Sequence, residues 1–354
     1  MTAPIPTFLR AASYFLLASF LACLCSQARE VRKDVVVMMN GDHFTGKVKR
    51  LENGLLYVET DYVSGNIGLD WNQVESVKST ATFQIVLNNG HRLTGTIEKV
   101  SGEKAKNEDF LIREATEEVQ VPSSSIANID QNKATFWQQL KGSIDFGYSF
   151  TSGNGQSALN ADTNAIYRTT AWEAAISFDS TYGGQTDAKT TNREELQATF
   201  SKFLNRNSFL AGLSDFLHSS QQDLTLRTTL GGGYGRYLKR TTNTNFSWMG
   251  GIVYSHENFD VTASQPSDQN MEAVVGFQYD YVRFNFGEFD SQLRIFPGLT
   301  DAGRVRLSTN NELTIKLRNN FHLAFTFWDN YDSRPPTTAK KNALGTSTGI
   351  GWSF

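Results

Sequence analysis

Ten ionisable residues stand out because large apolar neighbours flank them in alternation: Arg227, Arg294, Arg304, Arg306, Lys316 and Arg318, with Asp145, Asp179, Asp290 and Glu312 of opposite sign. A charge recurring every second position among Phe, Leu and Ile marks one face of a strand whose other face is apolar. Two chemistries follow. Rings of charge around an enclosed passage set solute preference in a channel. The same charges can instead pair across the enclosure and fill it. Catalysis would need more. A lipid-acting hydrolase on an outer wall wants Ser, His and an orienting acid or amide. His218, His256 and His322 are the candidates, and Phe216-Leu217-His218-Ser219-Ser220 is the best stretch. His43 and His91 sit at nearly equivalent positions in two repeated segments, which suits exposed turn residues better than a metal pair. Gly231-Gly232-Gly233-Tyr234-Gly235 lies in a strand pattern with no helix after it, so it suits close packing rather than a nucleotide. No catalytic residue, metal or cofactor is expected, with the lipid hydrolase kept as the alternative.

The elements that must carry these charges are strands. From Gln139 onward the chain falls into twelve extended segments of about ten to fifteen residues, the signature of a membrane β-barrel. In the first, Leu140, Ile144, Phe146 and Tyr148 oppose Lys141, Ser143 and Asp145. In the third, Trp172, Ala174, Ile176 and Phe178 oppose Glu173, Ser177, Asp179 and Thr181. In the seventh, Phe246, Trp248, Ile252 and Tyr254 share a face. The alternation slips near Asp215, whose face is left open. Short joins such as Asn205-Arg206 alternate with longer polar ones, as periplasmic turns alternate with extracellular loops. The last segment, Lys341 to Phe354, places Leu344, Ile350, Trp352 and Phe354 on one side and small residues on the other. It is similar to the terminal signal read by the barrel-assembly machinery of bacterial outer membranes.

Composition agrees. The 354 residues carry a net charge of −3, which gives no field for nucleic acid. Phe (25) and Gly (28) are abundant and Pro (7) is scarce, as a turn-rich all-β chain requires. Residues 1–28 read as an export signal: Arg10, an apolar run from Ala11 to Cys25, then Ser26-Gln27-Ala28 for cleavage. Both cysteines, Cys23 and Cys25, fall there, and a lipoprotein signal ending at Cys23 is the rival.

Between the signal and the barrel lies a repeat. Val35–Met39, Asn40-Gly41 and Phe44–Val48 match Phe83–Leu87, Asn89-Gly90 and Leu93–Ile97, and Asn-Gly between apolar runs is a strong hairpin signal. Each copy holds about five short strands, similar to small SH3-like or Sm-like barrels. The expected organisation is a signal at 1–28, small β-barrel repeats at 29–80 and 81–135, and an outer-membrane barrel at 136–354. Phe136-Trp137 would mark the membrane boundary. The repeats would bind a periplasmic protein or peptidoglycan, or support the barrel. Basic residues are not clustered in them, so nucleic acid is not an expected partner.

Three stretches resemble the DUF481 family: Leu226–Arg240, Phe289–Pro297, and Asn330-Tyr331-Asp332-Ser333-Arg334-Pro335-Pro336 with Lys340-Lys341-Asn342. Members often carry Asp where this chain has Ala343. The resemblance implies an outer-membrane barrel embedded in lipid, with some members named as salt-induced, and it transfers no functional residue. The expected fold is all-β, with a twelve-stranded antiparallel transmembrane barrel behind the two small repeats. The expected function is a passive small-solute pore or a structural envelope protein linked to salt or osmotic stress.

Overall fold

The computed structural model describes residues 34–63, 66–99, 109–114, 117–131, 136, 140–151, 156–169, 171–184, 191–204, 207–259, 267–283, 287–317, 320–335 and 340–353. The export signal, Trp137, Arg318 and Phe354 lie outside the described residues. The fold is all-β. The first repeat forms β1 (Asp34–Met38), β2 (His43–Glu52), β3 (Leu55–Glu59), β4 (Asn66–Asp70) and β5 (Val74–Lys78). The second forms β6 (Phe83–Leu87), β7 (Arg92–Lys99), β8 (Asp109–Arg113), β9 (Glu118–Pro122) and β10 (Ile126–Gln131).

The two repeats close one ring between them. β1 pairs with β2 and β5, and β6 pairs with β7 and β10. The copies join twice and reciprocally, β10 to β2 at Ile129↔Leu51 and β5 to β7 at Lys78↔Glu98. Six strands, three from each copy, complete the circuit, and β3–β4 and β8–β9 extend it as hairpins. A chain of about 50 residues buries a small share of its surface and is marginal alone, and pooling two copies gives a single larger core. Leu51, Leu56, Phe83, Ile85, Ile97, Phe110, Ile112 and Ile129 are all buried in it, and Trp71 stacks on Phe110 at 5.4 Å. The two Asn-Gly turns are built alike. Gly41 and Gly90 take φ of 87° and 86°, and Asn40 and Asn89 each accept a hydrogen bond from the backbone N–H two residues on, at 3.0 Å. A third pair, Asn53-Gly54, makes the two-residue turn between β2 and β3 with both φ positive.

The twelve expected strands follow: β11 (Leu140–Thr151), β12 (Gln156–Arg168), β13 (Trp172–Gly184), β14 (Thr191–Phe203), β15 (Ser208–Ser219), β16 (Leu224–Arg240), β17 (Thr244–Phe259), β18 (Ser267–Arg283), β19 (Gly287–Pro297), β20 (Val305–Lys316), β21 (Phe321–Asp332) and β22 (Asn342–Ser353). Each pairs antiparallel with the next. β22 closes on β11 through Ser143↔Ser353, Ile144↔Trp352, Asp145↔Gly351 and Phe146↔Ile350. The burial pattern is inverted relative to a soluble protein. Phe146 and Tyr148 are 62% and 68% exposed, whereas Glu257 and Glu272 are 0% exposed. An outer wall of Phe, Leu, Ile and Tyr around a polar interior is what a barrel in lipid requires, since closure leaves no backbone group unpaired.

Aromatic rings mark both edges of that wall. At the short-turn end Phe136 stacks on Tyr167 (4.8 Å), Tyr167 meets Trp172 (5.2 Å), and Trp172 stacks on Phe200 (5.6 Å). At the long-loop end Tyr148, Tyr182, Tyr254 and Tyr331 are exposed. These are the two girdles expected at membrane–water interfaces.

Candidate functional site

Strand parity sends Arg227, Arg294, Arg304, Arg306 and Asp145 into the interior, where all five are buried. Asp179, Asp290 and Glu312 face the same interior and are partly buried. Lys316 lies on that face too but at its rim, where it is exposed. Asp215 also faces inward, between Leu213 and Leu217, and the ladder to β14 runs unbroken past it. The apparent slip in sequence arises because Leu213 and Leu217 are apolar residues turned inward.

Part of the interior charge is paired, while Asp179, Asp290 and Glu312 have no ion pair among the described residues. Near the long loops, Glu257 accepts from the Arg227 Nε and from the Arg304 Nη2 at 2.7 Å. Arg304 also donates to Asp332 (Nε to Oδ1, 3.1 Å) and to Asp268 (3.2 Å). Arg306 holds Glu272 through two parallel N–H donors and lies 4.9 Å above the Phe296 ring. Arg193 pairs with Glu195 and covers the Trp328 ring at 4.3 Å, and Arg294 approaches Asp215 at 3.8 Å. Below them Leu213, Val253, Val274 and Phe296 pack together with Met249, an apolar layer inside the barrel. Gly235 is bare because a Cβ there would lie 2.3 Å from the Phe209 ring, which is the close packing its glycine-rich strand suggested. A void beside Asp162, Asp179, Arg193 and Trp328 measures about 10 Å³, room for about one water. Glu257, Glu272, Glu195, Asp332 and Arg193 were not among the sequence candidates. Their parity was readable: Glu257 lies opposite the Phe246–Tyr254 face already assigned to lipid.

A second constellation crosses the seam. His322 of β21 shares a 2.6 Å hydrogen bond with Asp145 of β11, reaching over β22, which lies between them. It can do so only because residue 351 is glycine; a Cβ there would sit 1.9 Å from the Asp145 Oδ1 and 2.4 Å from the His322 Nε2. Ser143 donates to the other Asp145 oxygen at 2.9 Å, and the Ser353 hydroxyl meets the His322 Nδ1 at 3.1 Å.

Of the hydrolase candidates, His322 is the one that meets both an acid, Asp145, and a hydroxyl, Ser353, and the preferred Phe216–Ser220 stretch forms no such group. His218 faces outward and its Nδ1 meets the Thr225 carbonyl at 2.9 Å, while Ser219 is buried on the inner face. Gly345-Thr346-Ser347-Thr348-Gly349 has a nucleophile-elbow spacing but runs straight through β22, with no helix after it. Among the described residues no group of three or more His, Cys, Asp or Glu is placed to hold a metal, and His43 and His91 are both exposed.

The six-stranded ring seats on the short-turn end of the barrel. The Gly54 N–H donates to the Thr242 carbonyl at 2.9 Å, and the Asn207 side chain to the Asn88 carbonyl at 2.8 Å. Gly90 packs so close that a Cβ would lie 2.3 Å from the Asn207 nitrogen. Glu52 bonds Lys141 at 2.8 Å, and Arg92 lies 4.0 Å over the Phe203 ring. Burial alone would raise the Glu52 carboxyl, but the Lys141 and Arg50 cations outweigh it and hold the group at about 2.

Two solved structures are matched. The translocator domain of the autotransporter NalP from Neisseria meningitidis is 13% identical, with 63% of this chain and 89% of that chain covered at a TM-score of 0.35. The β-domain of the Bordetella autotransporter Brka is 9% identical, with 61% and 97% covered at a TM-score of 0.28. A comparison with curated proteins finds no match. The model for the family described as "Protein of unknown function, DUF481" matches residues 144–354. That segment holds the barrel from β11 through β22 and more than half of the chain, and the chain belongs to the DUF481 family.

Proposed function

We propose that this chain is a structural protein of the bacterial outer membrane, whose filled barrel anchors the six-stranded ring on the periplasmic side. The observation that carries this reading is the interior. Arg–carboxylate pairs at the long-loop end and the Leu213–Val253–Val274–Phe296 cluster below project into the interior, which supports a filled passage over an open one. Short turns face the periplasm in bacterial barrels, and the ring docks at that end. The tip of the β3–β4 hairpin, where Tyr62 and Val63 are exposed, then offers a surface for a periplasmic protein or peptidoglycan. A role in salt or osmotic stress would be exerted through that mechanical link rather than through permeation.

Planar-bilayer recording of the purified full chain tests this. A silent bilayer containing protein that is folded by heat-modifiable gel mobility is expected. Discrete conductance steps at modest voltage would overturn the filled-barrel reading in favour of a small-solute pore.

A further inference from the structure

The junction between ring and barrel encloses a cavity of about 70 Å³, and three guanidinium groups line it: Arg92 from β7, Arg168 from the end of β12, and Arg240 from the end of β16. Like charges do not gather in a confined space without something to offset them. The offset present is incomplete. Arg168 is paired with Glu173. Glu52, the carboxylate in the lining, already serves Lys141 at 2.8 Å and Arg50 at 3.1 Å. Arg92 and Arg240 have aromatic rings beneath them, Phe203 at 4.0 Å and Tyr237 at 3.6 Å, but no ion pair among the described residues. Arg240 is 8% exposed, and its Nη1 is buried with no hydrogen-bond partner. A buried guanidinium nitrogen left without an acceptor is costly, and an oxygen ligand would repair it. Burial, together with the Arg240 and Arg168 charges, pushes Arg92 down to about 10.

We propose that this cavity binds a phosphate oxyanion, supplied either as free phosphate or as a phospholipid headgroup, between Arg92 of the ring and Arg240 of the barrel. The planar fork of Arg matches phosphate oxygens two at a time, and two uncompensated guanidinium groups suit an anion carrying more than one charge. The Thr241 and Thr242 side of the lining adds neutral polar groups. Arg168 and Thr169 of the lining follow directly on Tyr167 of the short-turn aromatic girdle, so the site is close to headgroup depth. Because its cations come from both parts of the chain, the bound anion also ties ring to barrel.

Calorimetric titration of the full chain in detergent with inorganic phosphate, against acetate and chloride at matched ionic strength, tests the site. Native mass spectrometry in micelles doped with phosphatidylglycerol or phosphatidylcholine tests the second source. Phosphate binding without retained phosphatidylglycerol assigns the free anion, and a retained phosphatidylglycerol adduct without phosphate binding assigns the headgroup. Arg240→Lys should weaken whichever is bound by tenfold or more. Arg92→Gln should do the same from a position outside the barrel wall, so the proposal stays testable if the first variant misfolds. With no variant at all, saturating phosphate or phosphatidylglycerol should slow protease release of the ring several-fold. Absence of both ligands, or binding indifferent to both substitutions, overturns the proposal.

Discussion

The two barrels of this molecule are built from the same pleat and solve opposite problems. The six-stranded ring is narrow enough for side chains from two repeats to meet, and its interior is mainly apolar: Phe83, Ile97, Phe110 and Ile129 pack together, with the buried Asp34 carboxylate accepting from the Val48 N–H and the Ser79 hydroxyl. The twelve-stranded barrel is too wide to fill with aliphatic groups alone. Its wall must be apolar outside, so the alternate positions inside fall to polar residues, and long Arg–carboxylate pairs reach across what Leu cannot. Strand number sets the volume and the surrounding solvent sets the face. Charge inside the larger barrel is thus a filling solution, and desolvation makes it a weak source of stability.

That contrast can be broken at its strongest point. Glu257→Ala leaves Arg227 and Arg304 buried without their shared partner and should cost about 3–5 kcal/mol, read as a lower temperature of heat-modifiable gel mobility. Phe110→Ala should cost a similar amount, about 3–5 kcal/mol, but in the ring alone. Urea titration with proteolysis would show the ring cleaved while the barrel remains intact, and joint unfolding would mean that the two barrels are one cooperative unit. Gly351→Ala, which pushes a methyl group into the Asp145–His322 bond, should cost about 1–3 kcal/mol and slow refolding into micelles. The paired substitution Arg306→Met with Glu272→Leu sharpens the comparison from the other side. If those charges only occupy space, the double variant should melt within about 1 kcal/mol of the parent or higher.

The smallest effect concerns pH at the junction. Glu52 has a folded-state value of about 2, below its ordinary value of 4.5. Its ion pairs therefore stabilise docking fully above the ordinary value, and that contribution fades as pH falls from about 4.5 toward 2. Protease release of the ring should accelerate across that window, and Glu52→Gln should remove that part of the acid dependence.

Much of this architecture was legible in advance. Period-two alternation is clear in most barrel strands, and β12 and β14 fall at 156–168 and 191–203 as read from sequence. The repeat was equally visible from its Asn-Gly pairs. Closure of the two copies into one ring was not, because the β5–β7 and β10–β2 pairings join distant segments by only one or two residue pairs, which no local pattern encodes. Asn53-Gly54 carried the same hairpin signal as its neighbours and makes the most regular turn of the three. The partners of the interior charges were hidden for a different reason. Parity names a face, but not which residue across a lumen will meet which.

The hydrogen bond that steps over Gly351 carries information about closure. Its two ends belong to the first and the eleventh strands of the larger barrel, and neither is a sheet neighbour of the other. They come within reach only where the final strand lies between them with the correct residue opposite Asp145. A slip by one position would turn a small residue outward, bring a bulky one into the gap and hold the His and Asp apart. The contact therefore reports register: it is compatible only with a cylinder closed with Gly351 opposite both Asp145 and His322.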